Sequence, residues 1–121
     1  MAKILLVEDT IEIQRLYSEV LHKKGHIVVV AGSVMQAMMS IGDTEFDYVF
    51  VDIKLPDFDG FELLREAEFA DRHPNTKVVV LTNSESTRDY DRAKELGVDN
   101  YLVKIDYSPY GLAQMIADGE L

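Results

Sequence analysis

Five short, mainly apolar runs constrain the fold of this chain more than any other feature of its sequence. They cover residues 3–7, 27–31, 47–51, 77–81 and 99–103. A strand with apolar residues at successive positions is buried on both faces, which is typical of parallel sheets covered by helices on both sides. The runs therefore predict an α/β protein with a five-stranded parallel sheet.

The stretches between these runs have the period of amphipathic helices. The first of them has a single apolar stripe after Asp9, formed by Ile13, Leu16, Tyr17, Val20 and Leu21. Capping and stop signals predict helices from Asp9 to Lys23–Gly25, from Ser33 to near Gly42, from Gly60 to about Arg72, from Ser86 to Leu96, and from Ser108–Pro109 onward. The order is (βα)5, and right-handed crossovers on such a sheet give a doubly wound, three-layer α/β/α sandwich.

Length and composition bound the class of protein. With 121 residues, of which 47% are apolar, the chain predicts a single domain over residues 1–121 without an effector domain. We expect a cytoplasmic protein without membrane contact, because there is no signal-peptide pattern and no apolar stretch of about 18 residues. The chain has no cysteine, which excludes disulfides and thiolate metal sites. A net charge of -10 argues against direct nucleic-acid binding, which needs Lys and Arg to neutralise phosphates.

Polar side chains follow four of the apolar runs at the point where each run ends. Glu8 and Asp9 follow the first, Asp52 the third, Thr82 the fourth and Lys104 the fifth. Because parallel sheets bind ligands at the carboxyl ends of their strands, we expect these groups to share one edge. Each of them alone has an ordinary explanation; Asp9, for example, also suits the N-cap of the first helix, with Glu12 at the third helical position.

This combination of groups suits a divalent cation and a phosphoryl group. Glu8, Asp9 and Asp52 would repel one another without a metal, and magnesium takes carboxylate oxygens together with phosphate oxygens. Asp52 is the expected nucleophile, since it lies between the acidic pair and the other two groups in the predicted sheet. Thr82 and Lys104 are expected to bind phosphoryl oxygens.

With these residues in place, the chain resembles a response-regulator receiver domain, the phosphoacceptor module of two-component signalling. The resemblance covers essentially all 121 residues and depends on the segments Ile4–Asp9, Asp52–Gly60, Leu81–Thr82 and Tyr101–Lys104. It implies a flavodoxin-like fold with strand order 2-1-3-4-5. Within the second segment, Pro56 fixes φ and Gly60 frees the backbone, so that a turn is expected after the phosphorylation site.

The resemblance also implies a role for each acid at the strand ends. Asp52 would be the phosphorylated aspartate, with Glu8 and Asp9 holding Mg2+ (or Mn2+) beside it. The backbone carbonyl of Lys54 would be a further metal ligand.

Three further positions would complete the site and connect it to a signal. By resemblance, Thr82 and Lys104 contact the phosphoryl oxygens, and Tyr101 is the switch aromatic. Tyr101 would turn inward when Thr82 moves toward the phosphate.

The chain departs from the family pattern beside these residues. Asn83 stands where the family usually has a small residue, and a bulkier side chain would alter access to the phosphoryl group or the travel of the loop. Ile105 replaces the usual proline after Lys104, and since a cis bond before isoleucine would cost about 2.5–4 kcal/mol, we expect a trans bond there. By resemblance, Lys54 and Ser84 occupy two variable positions that affect hydrolysis of the phosphoryl group, and Lys54 would either add affinity for phosphate or extend into solvent.

The expected partners also follow from the resemblance. A sensor histidine kinase or phosphotransfer protein would be the donor, and a downstream protein would bind the face of the fourth helix, fifth strand and fifth helix. Tyr90, Tyr107, Tyr110 and Met115 lie on these elements and would either form a docking surface or pack beneath the helices. The only reactions expected are self-phosphorylation from a donor and autodephosphorylation, so the protein is not otherwise an enzyme.

Three alternatives remain open at this point. A receiver-like module could signal by protein binding without phosphorylation, as Asn83 and the missing proline suggest. A hydrolase could use the same acids with water as nucleophile, although no second catalytic base and no P-loop sequence supports it. An FMN-binding flavodoxin-like protein lacks support, since no Ser/Thr/Gly-rich phosphate loop follows the first run.

Overall fold

The computed structural model describes residues 1–55 and 59–121, and its five strands form one parallel sheet. The strands are β1 (Lys3–Val7), β2 (Ile27–Ala31), β3 (Tyr48–Val51), β4 (Lys77–Thr82) and β5 (Asn100–Val103). Their order across the sheet is β2-β1-β3-β4-β5, and every neighbouring pair is parallel. This confirms the predicted fold class and strand order, and each strand lies within one residue of its predicted run. The turn predicted at Pro56, with Asp57 and Phe58, lies outside the described residues.

The helices cover both faces of the sheet. They are α1 (Ile11–Lys23), α2 (Val34–Asp43), α3 (Gly60–Ala67), α4 (Phe69–Arg72), α5 (Thr87–Glu95) and α6 (Pro109–Ala117). Helices α1 and α6 pack on one face, while α2, α3 and α5 pack on the other. None of the helices within residues 1–55 and 59–121 is long and apolar enough to span a membrane.

Strand β1 illustrates why its run is apolar at successive positions. Leu5 and Val7 are buried in the cluster with α2 and α3. Ile4 and Leu6 are buried in the cluster with α1 and α6. Since successive side chains of a strand point to opposite faces and both faces are covered by helices, no polar residue is tolerated between the apolar ones.

Most helices begin at a side-chain cap. The hydroxyl or carboxylate of the N-cap residue accepts the N–H three residues later at Ser33, Asp59, Ser86 and Ser108. Helix α1 differs, because Thr10 occupies its N-cap position and forms no side-chain cap bond. The alternative role of Asp9 as the N-cap of α1 is therefore wrong, and its carboxylate is left for the strand-end cluster.

The third predicted helix, from Gly60 to about Arg72, is wrong as a single element. Glu68 adopts a left-handed conformation with φ of 48°, which separates α3 from α4. Ala67 and Phe69, on either side of it, are both buried. In a continuous helix, residues two apart point about 200° from one another, so both could not face the core. The break rotates the chain and lets Phe69 join Ala67 there.

Candidate functional site

Glu8 and Asp52 lie side by side because β1 and β3 are hydrogen-bonded neighbours. Val7 pairs with Val51, and the N–H of Asp52 donates to the carbonyl of Val7 at 3.1 Å. On the other side of β1, the N–H of Glu8 donates to the carbonyl of Ala31 at 3.0 Å. The three strands therefore end at the same level, and both carboxylates lie at the carboxyl edge of the sheet.

Lys104 reaches both carboxylates from the far side of the site. It follows β5 directly, and its Nζ lies 2.6 Å from Glu8 Oε2 and 2.9 Å from Asp52 Oδ2. All three side chains are largely buried. The described peptide bonds include no cis bond, as expected before Ile105, and the Ile105 side chain is 83% exposed. Replacing the usual proline with isoleucine therefore leaves the ammonium of Lys104 in contact with the acids.

Burial and neighbouring charges both shift the pKa values of Glu8 and Lys104. Burial raises the pKa of Glu8 above its ordinary 4.5, and the hydrogen bond from Lys104 only partly opposes this effect. For Lys104, burial alone would lower the pKa, but hydrogen bonds and charges from Glu8 and Asp52 outweigh it and raise the pKa above 10.5. Lys104 is therefore charged at neutral pH and compensates the acids only in part.

The remaining negative charge lies where a cation could bind. One carboxylate oxygen from each of Glu8, Asp9 and Asp52 lies within 4.8 Å of the other two. Asp9 is exposed, so the cluster opens to solvent on that side. Oxygen donors at this spacing, without sulfur or imidazole, suit hard cations such as Mg2+ or Mn2+. The donor set therefore fits the predicted metal.

Backbone and side-chain donors fix the two inner acids. The N–H of Lys54 donates to Asp52 Oδ1 at 3.1 Å, while the Lys54 side chain is exposed. The N–H of Thr10 donates to Glu8 Oε1 at 3.2 Å. Gln14 on α1 donates from Nε2 to the carbonyl of Glu8 at 2.5 Å. Gln14 was not predicted, and its place on the polar side of an amphipathic helix gave no signal of this contact.

Gly60 lets helix α3 begin close to Asp52, for a reason that differs from the prediction. Its φ is not among the positive values of the described residues, so it does not serve to free the backbone. Instead, a Cβ at Gly60 would lie 2.5 Å from the carbonyl oxygen of Asp52 and 2.7 Å from Cα of Ile53. The N–H of Gly60 also donates to the carbonyl of Ile53 at 2.8 Å. Helix α3 thus begins against the backbone of Asp52 at a distance that only glycine permits.

Thr82 and Tyr101 are connected through Ser84. The hydroxyl of Thr82, which is buried at the end of β4, accepts the N–H of Ser84 at 3.4 Å. The hydroxyl of Tyr101 donates to the carbonyl of Ser84 at 2.9 Å. The two residues predicted to act as a switch are therefore bonded to the same residue of the loop between β4 and α5.

The side chain of Ser84 also ties this loop to helix α5. Its hydroxyl donates to Asp89 Oδ2 at 2.5 Å. Asn83, the departure from the family pattern, is exposed next to it. Ser84 was predicted only as a modulator of hydrolysis, since its contacts depend on where Asp89 and Tyr101 lie in three dimensions.

The face of α5, β5 and α6 corresponds to the predicted output surface. Tyr90 on α5 and Tyr110 on α6 are exposed, and the ring of Tyr90 packs edge-on against Tyr101 at 5.5 Å. Tyr107 and Met115 are instead half-buried against the core beneath α6. Two of the four predicted residues are therefore available for contact, and two pack beneath the helices.

Known families and curated proteins resemble this chain over most of its length. The family model of the response regulator receiver domain matches residues 4–117. Sporulation initiation phosphotransferase F of Bacillus subtilis is 31% identical over 102 residues, which cover 84% of this chain and 81% of that protein. Hybrid signal transduction histidine kinase B of Dictyostelium discoideum is 29% identical, and the match covers 94% of this chain but only 6% of that protein. The chain thus spans most of one relative and a small part of the other.

Solved structures share the whole fold. A CheY-like response regulator receiver domain protein from Methanospirillum hungatei superimposes with a TM-score of 0.88 at 28% identity, covering 98% of this chain and 93% of that chain. The manganese-bound form of response regulator Rcp1 has a TM-score of 0.84 at 29% identity, with 100% of this chain and 95% of that chain covered.

Proposed function

The chain belongs to the response regulator receiver domain family, and from this premise we propose that it is a switch operated by phosphorylation of Asp52. The observation that carries the proposal is the position of Lys104, whose Nζ contacts Glu8 and Asp52 at 2.6 and 2.9 Å. The ammonium of Lys104, which lies between two acids at this edge, is placed to stabilise the charge of an incoming phosphoryl group.

The proposed reaction transfers a phosphoryl group to the carboxylate of Asp52. A carboxylate oxygen attacks the phosphorus of a phosphohistidine, the new O–P bond forms as the N–P bond breaks, and the imidazole nitrogen leaves with the electron pair. Lys104 and the hydroxyl of Thr82 then contact the phosphoryl oxygens. Water later cleaves the acyl phosphate, which returns the carboxylate and inorganic phosphate. Self-phosphorylation from a donor and this autodephosphorylation are the only reactions that we assign to the chain.

We assign the metal site to Glu8, Asp9 and Asp52, with the backbone carbonyl of Lys54 as a further ligand. The spacing of the three carboxylates and their oxygen-only chemistry support Mg2+ or Mn2+. Rcp1 is a family member with a manganese-bound structure. When bound, the cation would neutralise charge on the phosphoryl oxygens and on the acids.

Phosphorylation would be read out through the loop after β4. A phosphoryl group adds about -1.5 to -2 charges and new acceptor oxygens beside Thr82. When the Thr82 hydroxyl bonds to these oxygens, it leaves the N–H of Ser84, whose carbonyl holds Tyr101. The loop would shift, and Tyr101, which already packs edge-on against Tyr90, would move with it and change the α5–β5–α6 face. A bias of a few kcal/mol is enough to exchange two such populations.

The partners follow from the family and the surface. Receiver domains are phosphorylated by histidine kinases or phosphotransfer proteins, and we propose such a donor here, acting in the cytoplasm. We assign a protein target to the α5–β5–α6 face, where Tyr90 and Tyr110 are exposed. The net charge of -10 favours a protein over nucleic acid as this target.

A phosphorylation assay with matched aspartate variants tests the proposal. The protein is incubated with Mg2+ and acetyl phosphate, or with beryllofluoride, and intact mass and amide chemical shifts are recorded. We expect one alkali-labile phosphoryl group on the wild type, with shifts near Asp52, Thr82 and Tyr101. Asp52→Asn should give neither, whereas Asp43→Asn, which removes an exposed carboxylate at the end of α2, should behave as wild type.

Three other outcomes of this assay would contradict the proposal. A wild type that neither reagent perturbs would exclude phosphorylation and favour the binding module that signals without it. Steady turnover of a phosphate ester would favour a hydrolase. A phosphoryl group retained by Asp52→Asn would assign the acceptor to another residue.

A further inference from the structure

Strand β2 and most of helix α2 carry no charged side chain. Residues 27–42, which form β2, the turn after it and most of α2, include no Asp, Glu, Lys or Arg. In the whole chain 28% of residues are charged, with a net charge of -10. This segment is therefore an uncharged surface on an otherwise acidic protein.

Strand β2 lies at the edge of the sheet and has one hydrogen-bonded neighbour, β1. The N–H of Ile27 and the carbonyl of Ala31 bond toward β1 and the chain beside it. Because the bonding direction alternates along a strand, the N–H and carbonyl groups of Val28 and Val30 face the open side. Edge strands are usually protected by lysine, proline or a bulge, and the sequence of β2 contains neither lysine nor proline.

Helix α2 lies beside the strand and forms a groove with it. Val30 and Met39 line one groove, together with Gln36, Ser40 and Asp43. Val30 is 38% exposed and Met39 is 68% exposed. Backbone groups suited to strand pairing are thus flanked by a groove in which Val30 and Met39 are apolar and Asp43 is the one charged residue.

We propose that this edge pairs with the same edge of a second copy of the chain, with the two β2 strands antiparallel about a two-fold axis. A self-complementary patch is what such an axis requires. Two copies with a net charge of -10 repel one another, and residues 27–42 offer a contact with no charged side chain of its own, with Asp43 in the adjoining groove as the nearest carboxylate in sequence. Antiparallel pairing also places Lys23 and Lys24, which precede β2, toward the end of the partner's sheet that carries exposed Asp9.

This pairing is independent of the proposed phosphorylation, because none of residues 27–42, which form the contact, belongs to the Asp52 site. Dimer formation by the unphosphorylated wild type, and by Asp52→Asn, therefore tests it separately. Failure of either proposal leaves the other in place.

Sedimentation velocity from micromolar to millimolar concentration tests the pairing. We expect a concentration-dependent species of twice the 13.7 kDa monomer mass. Val30→Lys and Met39→Lys should each raise the dissociation constant by about tenfold or more. Leu16→Lys on α1 is the matched control, because Leu16 was predicted on the apolar stripe but is 50% exposed, and this variant should dimerise as wild type. Circular dichroism confirms that each variant is folded.

Amide hydrogen exchange locates the contact. The amides of Val28 and Val30 should exchange rapidly in dilute protein and become protected as the dimer forms. A wild type that stays monomeric overturns the proposal, and if an added extended peptide then protects these amides, the edge belongs to another partner. A dimer that survives both lysine variants, or that forms without protection of Val28 and Val30, also overturns it.

Discussion

Replacing Gly60 with alanine should destabilise the protein at the point where helix α3 meets the end of β3. The added Cβ would lie 2.5 Å from the carbonyl oxygen of Asp52 and 2.7 Å from Cα of Ile53, both of them backbone atoms that cannot rotate away. Overpacking of this kind costs about 1–3 kcal/mol. The intrinsic preference of helices for alanine over glycine returns at most about 1 kcal/mol. We therefore expect a net loss of about 1–2 kcal/mol in the free energy of unfolding, measured by urea denaturation.

Gly42→Ala is the matched control. Gly42 also lies in a helix, but a Cβ there would have no atom within 4 Å, so alanine should stabilise the fold by about 0.5–1 kcal/mol. The backbone shift forced by Gly60→Ala should also move Asp52, and so slow phosphorylation by acetyl phosphate, whereas Gly42→Ala should not. Equal stabilisation by both substitutions would refute the close approach of α3 to Asp52.

Three further predictions concern the charged site and its loop. Lys104→Met leaves Glu8 and Asp52 without their ammonium partner. Urea denaturation without metal should therefore show a loss of about 3–5 kcal/mol in the free energy of unfolding, and Mg2+ should restore part of it. A loss that Mg2+ does not reduce would contradict this prediction. Because burial raises the pKa of Glu8, its protonation favours the folded state. Metal-free wild type should therefore gain stability relative to Glu8→Gln as pH falls from neutral through that raised pKa toward 4.5, and parallel pH profiles would exclude the effect. Ser84→Ala removes the hydroxyl bond to Asp89 and should cost about 1 kcal/mol and speed amide exchange in the loop after β4; unchanged exchange would show that the bond does not hold the loop.

The grouping of the site could be predicted because it depends on periodicity and chain direction. Apolar runs without alternation identify strands covered on both faces, and parallel strands end at one edge. These two rules together predict that Glu8, Asp52 and Lys104 lie close to one another. The strand order and the importance of Tyr101 came from the family resemblance, since periodicity does not order strands.

Three features that the sequence did not predict depend on packing in three dimensions. The break at Glu68 involves neither glycine nor proline and follows from the burial of Ala67 and Phe69 on one side. Glycine is required at position 60 because the carbonyl of Asp52 lies too close for a Cβ, and not because of the dihedral angles of Gly60 itself. The bonds of Ser84 to Asp89 and Tyr101 join residues whose separation in sequence gives no sign of contact.

The strand order places β2 and β5 at opposite edges of the sheet, with three strands between them. A protein bound at one edge therefore leaves the other sterically accessible. Two copies joined at β2 would present two α5–β5–α6 faces at their outer ends, forming a bivalent ligand. For a target with two docking sites at a matching span, the second contact would form at a high effective concentration, and avidity could exceed the single-site affinity by about 10²–10⁴ without any new contact.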